Sequence, residues 1–357
     1  MHWHRPYLYL FIVCLIASVS SPVLRAQTEP PIYKKRYVMG TVFEVVVYGL
    51  PTDHASAAID KALDEAVRLD HVMSNYKEDS DLSRMNRTAH SQTTEIPPDL
   101  YRVIEESLPY SRLSNGRFDI SVGPLVDLWK AAMQGRPMPT VEEEARARDC
   151  VGYQKIELIP LNRIEFHSNC MRLDLGSIGK GYAVDRMAEI LRAQGVRSAY
   201  INAGGSTMYG IGTPPGKKGW AVHLRDPSSS LNPEVMLMDN SVSTSEQTAD
   251  SMLGGESPGH IVLPTSGKPL KTKYAVNVVA RSATESDALS TTLLLVGPEN
   301  GAVMIKGRKD LAAMWISKDG ERIFADSGVQ IFRENRAGVQ THGNSAGTKI
   351  PGSPNQE

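Results

Sequence analysis

The stretch that decides the fold spans residues 172–212 and reads RLDLGSIGKGYAVDRMAEILRAQGVRSAYINAGGSTMYGIG. It predicts a strand that begins at Leu173, then a glycine-rich turn, then a helix over Gly181–Ala193. Gly195 is a good stop for that helix, because glycine readily adopts the left-handed conformation that ends helices. The helix has one apolar face, made by four residues at helical spacing: Val184, Met187, Ala188 and Leu191.

The N-terminus of this helix is a candidate phosphate site. Free N–H groups and the positive end of the helix dipole favour anions there, and Lys180 adds a full charge. The turn is not a P-loop, since Asp174 occupies the first glycine position and Gly181 follows the lysine. It is not a dinucleotide fingerprint either, because prolines at 214–215 prevent the helix that the fingerprint opens. Two alternatives remain: a nucleotide-binding turn, or a tight turn whose glycines serve only packing.

Outward from this stretch, helix and strand signals alternate along the chain. Two further helices are predicted on either side, one from an Asp53 cap to about Met73 and one over Asp287–Val296. A third, over Pro98–Leu113, should be bent or split at Pro109. Strands or hairpins are predicted in four places: Tyr37–Tyr48, Lys155–Leu158 with Ile164–His167, Trp220–Leu224, and Ala312–Ser317 with Glu321–Ala325. Since no repeat or linker divides these elements, we expect one α+β unit over residues 30–332, with mixed sheets and flanking helices.

The two ends of the chain differ from this body. Tyr7–Val19 is a run of 13 residues without charge, too short to span a bilayer comfortably, since spanning needs about 20 apolar residues. It predicts a secretory signal peptide over residues 1–26, with an uncleaved membrane anchor as the alternative. The polar residues 333–357 lack any apolar period and predict a disordered tail. We therefore expect an exported protein, periplasmic or associated with the periplasmic side of the inner membrane.

The composition of the chain excludes some classes of function but does not identify one. The chain has 357 residues, and 39 Lys and Arg nearly balance 40 Asp and Glu. Such neutrality argues against a nucleic-acid partner, which usually selects a basic surface. Three cysteines cannot make a disulfide scaffold. In an oxidising compartment Cys150 and Cys170 could form a disulfide. Sequence alone cannot show whether their Cα atoms lie within disulfide range, so paired and free cysteines are both possible.

Two more segments carry possible chemistry. Asp287 and Thr291 are four residues apart, so on a helix they share a face and could hold a hard cation such as Mg²⁺. The competing interpretation is that Asp287 caps the helix N-terminus. His260 precedes a strand-like run, and it becomes a candidate general base only if a nucleophile reaches it.

These segments, taken in order, resemble the ApbE family of FAD:protein FMN transferases. The resemblance runs from about Tyr37 to Ile323 and is carried by an ordered set of short motifs: Met39–Gly40–Thr41, Ser74–Asn75–Tyr76, Gly116–Arg117–Phe118–Asp119, Leu173–Gly181, Asn202–Gly205, Thr244–Ser245, His260–Ile261 and Asp287–Thr291. No single motif is decisive, but the ordered set is specific. It implies an ApbE-like α+β fold and an Mg²⁺-dependent enzyme that cleaves FAD, attaches FMN to a threonine hydroxyl of a partner flavoprotein and releases AMP.

The resemblance also assigns roles to single residues. It implies a flavin nucleotide site lined by Met39, Tyr76, Arg117, Phe118, Asp119, Asp174, Lys180 and Ile261. It implies Mg²⁺ ligands among Ser177, Asp287, Ser290 and Thr291. His260 is then the candidate base for the threonine proton, and Asp287 joins it as a catalytic residue.

The chain departs from the family pattern in two places. Leu263 stands where the family often has aspartate, and residues 246–250 lack the usual glycine, aromatic and basic residues. Both departures fall on the side of the site where the acceptor should bind. They leave open two alternative functions, an FAD pyrophosphatase that yields FMN and AMP, and a non-catalytic FAD-binding protein. The acceptor itself, which could be membrane-associated, is not named by the sequence.

Overall fold

A computed structural model describes residues 30–247, 259–326 and 332–334. The predicted signal peptide, residues 248–250 of the departing segment and residues 335–357 of the predicted tail lie outside these ranges. Within them the chain forms seven α-helices: α1 Thr52–Met73, α2 Asp81–Thr88, α3 Pro98–Leu113, α4 Gly123–Met133, α5 Val141–Asp149, α6 Gly179–Ala193 and α7 Ala283–Met304.

Sixteen strands accompany the helices in the same ranges. They are β1 Ile32–Val38, β2 Thr41–Tyr48, β3 Thr94–Glu95, β4 Ile156–Ile159, β5 Arg163–Phe166, β6 Ser198–Ala203, β7 Thr207–Ile211, β8 Trp220–His223, β9 Pro233–Leu237, β10 Asn240–Glu246, β11 Val262–Leu263, β12 Lys268–Pro269, β13 Tyr274–Ala280, β14 Ala312–Ser317, β15 Arg322–Asp326 and β16 Phe332–Glu334.

One antiparallel sheet of eight strands organises the molecule, in the order β1-β2-β6-β7-β10-β13-β14-β15. Helices α1, α6 and α7 cover one face and enclose the main core, in which Phe43, Leu63 and Trp315 are fully buried. The other face packs on the small sheet β16-β9-β8 through a second core around Trp220. Because the sheet is covered on both faces, central strands such as β6 and β7 are buried at nearly every position.

The α+β class with flanking helices is confirmed, but the sheets are not mixed: every strand pairing in the described ranges is antiparallel. The strand predicted to begin at Leu173 is absent as well, and that segment contributes only a parallel bridge from Arg172 to Val122. Four further local predictions need correction. Asp53 does not cap α1: Pro51 holds the N-cap position, and Asp53 lies in the first turn, where its charge suits the helix dipole. Pro109 does not split α3, which continues to Leu113. Helix α7 begins at Ala283 rather than Asp287, because Ser282 caps it by accepting a hydrogen bond from Glu285 N.

The fourth correction concerns the tail. Arg333 and Glu334 pair with β9 in strand β16, so the ordered body reaches beyond residue 332. The predicted hairpins are present, and the long segment from Tyr37 to Tyr48 is a strand pair turned at Met39–Gly40, where both residues have positive φ. Sequence left Cys150 and Cys170 open; they form a disulfide, with Cα atoms 5.2 Å apart.

Candidate functional site

A cavity of about 530 Å³ opens between the first turn of α6, the inner face of α7 and the β11–β12 hairpin. This volume is in the range of small-molecule sites. The walls bring together eleven of the residues predicted to form the site: Tyr76, Arg117, Phe118, Asp119, Asp174, Ser177, Lys180, His260, Ile261, Asp287 and Thr291. Met39 and Ser290 are not in the lining. Met39 packs partly buried against the main core, and Ser290 is fully buried behind Thr291.

The first turn of α6 forms one wall. Asp174 Oδ1 accepts a hydrogen bond from Gly176 N at 2.7 Å, which fixes the turn that leads into the helix. Gly176, Ser177 and Lys180 all face the cavity. The positive end of the α6 dipole and the Lys180 ammonium group therefore point at the same space, which suits a phosphate or pyrophosphate.

Helices α6 and α7 cap each other. Asp287 on α7 accepts a hydrogen bond from Gly181 N at 2.8 Å, in the first turn of α6. In return, Asp185 on α6 accepts bonds from Ala283 N at 2.7 Å and Thr284 N at 2.8 Å, in the first turn of α7. The capping alternative for Asp287 was thus wrong for its own helix, but the residue does cap the neighbouring one.

Close contact between the two helices depends on Gly181. A Cβ atom at this position would lie 2.3 Å from Ala283 O and 2.7 Å from Asp287 Cβ. Any side chain would force the helices apart. The glycine therefore holds the Asp287 carboxylate against the first turn of α6.

Three hydroxyl groups form a hydrogen-bonded cluster next to Asp287. Ser245 Oγ lies 2.7 Å from Ser290 Oγ and 2.9 Å from Thr291 Oγ1, and Ser290 Oγ also donates to Asp287 O. Thr291 and Ser245 line the cavity, whereas Ser290 supports them from behind. Ser245 thus joins strand β10 to helix α7 at the cavity wall.

The donor set fits Mg²⁺ bound together with a phosphate ligand. No group of three or more His, Cys, Asp or Glu side chains that could hold a metal occurs in residues 30–247 and 259–326. Mg²⁺ does not require such a cage, because it commonly uses one or two carboxylates, substrate phosphates and water. Asp287 Oδ2 receives the Gly181 bond, and its Oδ1 accepts no hydrogen bond within those same ranges, so one carboxylate oxygen remains for a cation beside the Thr291 hydroxyl.

His260 also lines the cavity, just before the β11–β12 hairpin. Desolvation, and secondarily the nearby Lys180 charge, lower the pKa of its imidazole. A lowered pKa keeps the ring neutral at pH 7, so that it can accept a proton. Ile261 follows it and packs against the edge of the main core.

The Arg117–Phe118–Asp119 segment is held rigidly. Arg117 donates to Leu295 O at 3.2 Å, and Phe118 is buried against Tyr110. Asp119 accepts hydrogen bonds from Ser121 N, Ser121 Oγ and Tyr153 N, while burial raises the pKa of its carboxyl. Both Asp119 oxygens are occupied within the protein, so its carboxylate shapes the wall of the cavity.

Several residues at the mouth were not predicted as site residues. Lys130 is one of them: its ammonium group lies 4.0 Å from the ring centre of the predicted residue Tyr76, which has 81% of its surface exposed. Arg225 forms an ion pair with Glu246, and both line the cavity. Ser245 was quoted in a motif but given no role. Among these unpredicted residues, only Ser245 and Glu246 could have been suspected from the sequence, because Ser245 lies in the Thr244–Ser245 motif and Glu246 follows it.

No helix in the described ranges is long and apolar enough to cross a membrane.

Comparisons with known proteins agree with this architecture. The sequence model of the ApbE family matches residues 39–315. An FAD:protein FMN transferase from Klebsiella pneumoniae is 28% identical over 318 residues, covering 85% of this chain and 89% of the relative. The flavin transferase ApbE from Vibrio cholerae superposes with a TM-score of 0.73 at 26% identity, covering 84% of this chain and 98% of that one. The apo flavinyl transferase ApbE from Pseudomonas stutzeri gives a TM-score of 0.74 at 25% identity, with 86% and 99% coverage.

Proposed function

This chain belongs to the ApbE family, and from that premise we propose that it is an FAD:protein FMN transferase. In the proposed reaction a threonine hydroxyl of an acceptor protein attacks the FMN phosphorus of FAD. The bond between that phosphorus and the bridging oxygen breaks, AMP leaves, and FMN stays on the threonine as a phosphodiester. The observation that carries the proposal is one cavity holding the α6 N-terminus, Lys180, the Asp287–Thr291 pair and His260.

The residues of the cavity suit this phosphoryl transfer. Pyrophosphate cleavage depends mainly on positioning and on neutralising charge at the phosphoryl oxygens. The α6 N–H groups and Lys180 would orient the pyrophosphate, and Arg117 and Arg225 also line the cavity. Asp287, together with Thr291 and Ser177, would hold Mg²⁺, which supplies further neutralisation of phosphate charge when bound.

His260 is proposed as the group that accepts the threonine proton. A hydroxyl has a high pKa, so attack on phosphorus is assisted by a neighbouring base. The lowered pKa of His260 supplies a neutral imidazole at pH 7. The proton then leaves on His260, and the AMP phosphate departs as an anion.

One assay tests the proposal against its two competitors. The protein is incubated with FAD, Mg²⁺ and a candidate acceptor domain, and the acceptor is weighed by intact-mass spectrometry while the nucleotides are separated. An acceptor gain of FMN less water, matched by AMP, supports the transferase. A Thr→Ala acceptor is the control and should gain nothing. Free FMN and AMP without acceptor gain would replace the proposal by a pyrophosphatase, and unchanged FAD by a binding protein.

We also propose that the protein works outside the cytoplasm. The Cys150–Cys170 disulfide supports this, because such bonds persist in oxidising compartments and are rare in the cytosol. The uncharged run Tyr7–Val19 supports it independently. Fractionation of expressing cells, with N-terminal sequencing of the mature chain, tests the proposal; an uncleaved chain in the cytoplasm with free thiols would contradict it.

A further inference from the structure

The side chain of Gln247, just beyond the end of β10, inserts into the hairpin that follows His260. Its Nε2 donates to Ile261 O at 2.9 Å and to Leu270 O at 3.2 Å, and its Oε1 accepts from Ile261 N at 3.0 Å. Both backbone groups of Ile261 are therefore bound by one amide side chain. The same carbonyl, Ile261 O, also accepts from Leu270 N at 2.8 Å. The amide thus completes the backbone pairing where the β11–β12 ladder ends.

Gly259 makes room for this amide. A Cβ atom at position 259 would lie 2.1 Å from Gln247 Cδ and 2.1 Å from its Nε2. Gly259 is buried, so a side chain there would have no open space to turn into. The Gln247 amide can therefore occupy its position only because residue 259 has no side chain.

This contact lies at one end of the segment that carries His260, and a second contact holds the other end. Trp129 Nε1 donates to Gly267 O at 2.7 Å, and Val262 packs in a small apolar cluster with Trp129 and Leu125. The hairpin is therefore fixed to α4 at its tip and to Gln247 at its base. His260 is next to the base, so its position depends on Gln247 more than on the tip.

We propose that Gln247 is a positioning residue: its amide fixes the Ile261 peptide and thereby holds His260 at the cavity wall. The inference goes beyond the proposed function and rests on it only for the turnover measurement. Sequence indicated this position only as a departure from the family pattern, where the segment after Ser245 changes character. The amide side chain at 247 gives that departure a structural role.

A double-mutant cycle tests the proposal, using Gln247→Ala, Gly259→Ala and the pair. Hydrogen exchange of the peptides covering 259–263 is measured first, because it needs no activity. Each single variant should raise exchange of the Ile261 amide roughly tenfold, the factor equivalent to losing about 1.4 kcal/mol. The double variant should be no worse than either single one, since both remove the same contact. Effects that multiply in the double variant, or unchanged exchange in Gln247→Ala, would overturn the proposal.

Turnover supplies a second readout. In Gln247→Ala we expect kcat to fall roughly 10- to 100-fold, as misplacement of a catalytic group typically causes, while the KM for FAD changes less, because Lys180 and Asp287 are untouched. Gln247→Glu should be at least as damaging, since a carboxylate would face the Ile261 and Leu270 carbonyl oxygens. Gln92→Ala, in an exposed turn, is the matched control and should leave kcat and exchange unchanged. A KM effect larger than the kcat effect would overturn the positioning role. If the wild type transfers no FMN, the exchange cycle still decides the inference.

Discussion

Replacing Gly181 by alanine should separate helices α6 and α7 and disable the site. The new Cβ would lie 2.3 Å from Ala283 O, whereas nonbonded carbon contacts lie near 3.5 Å, so the first turns must move apart by about 1 Å. Overpacking of this kind costs about 1–3 kcal/mol. Stretching the bond from Gly181 N to the Asp287 carboxylate costs about 1.5–3 kcal/mol more.

Alanine also favours a helix over glycine by about 1 kcal/mol, which offsets part of this loss. We therefore expect Gly181→Ala to lower the free energy of unfolding by about 1.5–5 kcal/mol, measured by urea denaturation. The matched control is Gly179→Ala in the same helical turn. There a Cβ atom would meet nothing closer than Met73 Sδ at 3.8 Å, so its stability should stay within about 1 kcal/mol of wild type.

The two variants should also differ in function. Gly181→Ala shifts Asp287 relative to the α6 N-terminus, so FMN transfer should fall even at temperatures where the variant remains folded. Equal unfolding free energies for the two variants would refute the close-contact reasoning. A folded Gly181→Ala protein with full transfer activity would refute the link between helix spacing and the site.

Three further predictions concern the carboxylate, the imidazole and the disulfide. Asp287→Asn keeps an oxygen that can accept the hydrogen bond from Gly181 N but loses the negative charge, so Mg²⁺-dependent transfer should vanish with little change in the urea midpoint. Asp287→Ala should lose both the transfer activity and part of the stability, because it removes the charge and the hydrogen bond. Undiminished transfer by either variant would contradict the metal assignment. The pKa of His260 is lowered from an ordinary value near 6.5, so the transfer rate should rise with pH, with a midpoint below pH 6.5, and then level off. His260→Ala should abolish this rise in the pH–rate profile. A rise that persists in the variant would exclude His260 as the base. The Cys150–Cys170 disulfide joins residues 20 positions apart, so its reduction should lower the free energy of unfolding by about 3 kcal/mol. Denaturation with and without reductant measures this difference. The Cys150→Ser variant is the control, because reductant should not change its stability.

Much of the fold can be predicted from the sequence, because the apolar spacing and the turn residues of each segment agree with its packing in the structure. The period of Val184, Met187 and Leu191 defines the buried face of α6, and Gly195 ends that helix with a positive φ. The Lys318–Gly320 turn defines the last hairpin. Asp53 was misjudged because a carboxylate favours both the N-cap and the first turn, and only the backbone distinguishes them.

The site is only partly readable, for a physical reason. Lys180 and Asp287 lie in motifs whose chemistry is local, so sequence finds them. The reciprocal caps between α6 and α7 join residues about a hundred positions apart, and no local pattern encodes that pairing. The role of Gln247 is hidden in the same way: the sequence shows position 247 only as part of a departure from the family pattern, and the contact of its amide with the backbone of Ile261 has no sequence signature.

The most direct measurement is a crystal structure of the protein with FAD and Mg²⁺. We predict the FAD pyrophosphate at the first turn of α6 beside Lys180, a cation on Asp287, and His260 facing the FMN phosphorus. FAD bound outside this cavity, or bound within it with the pyrophosphate away from α6, would contradict the proposed transferase site.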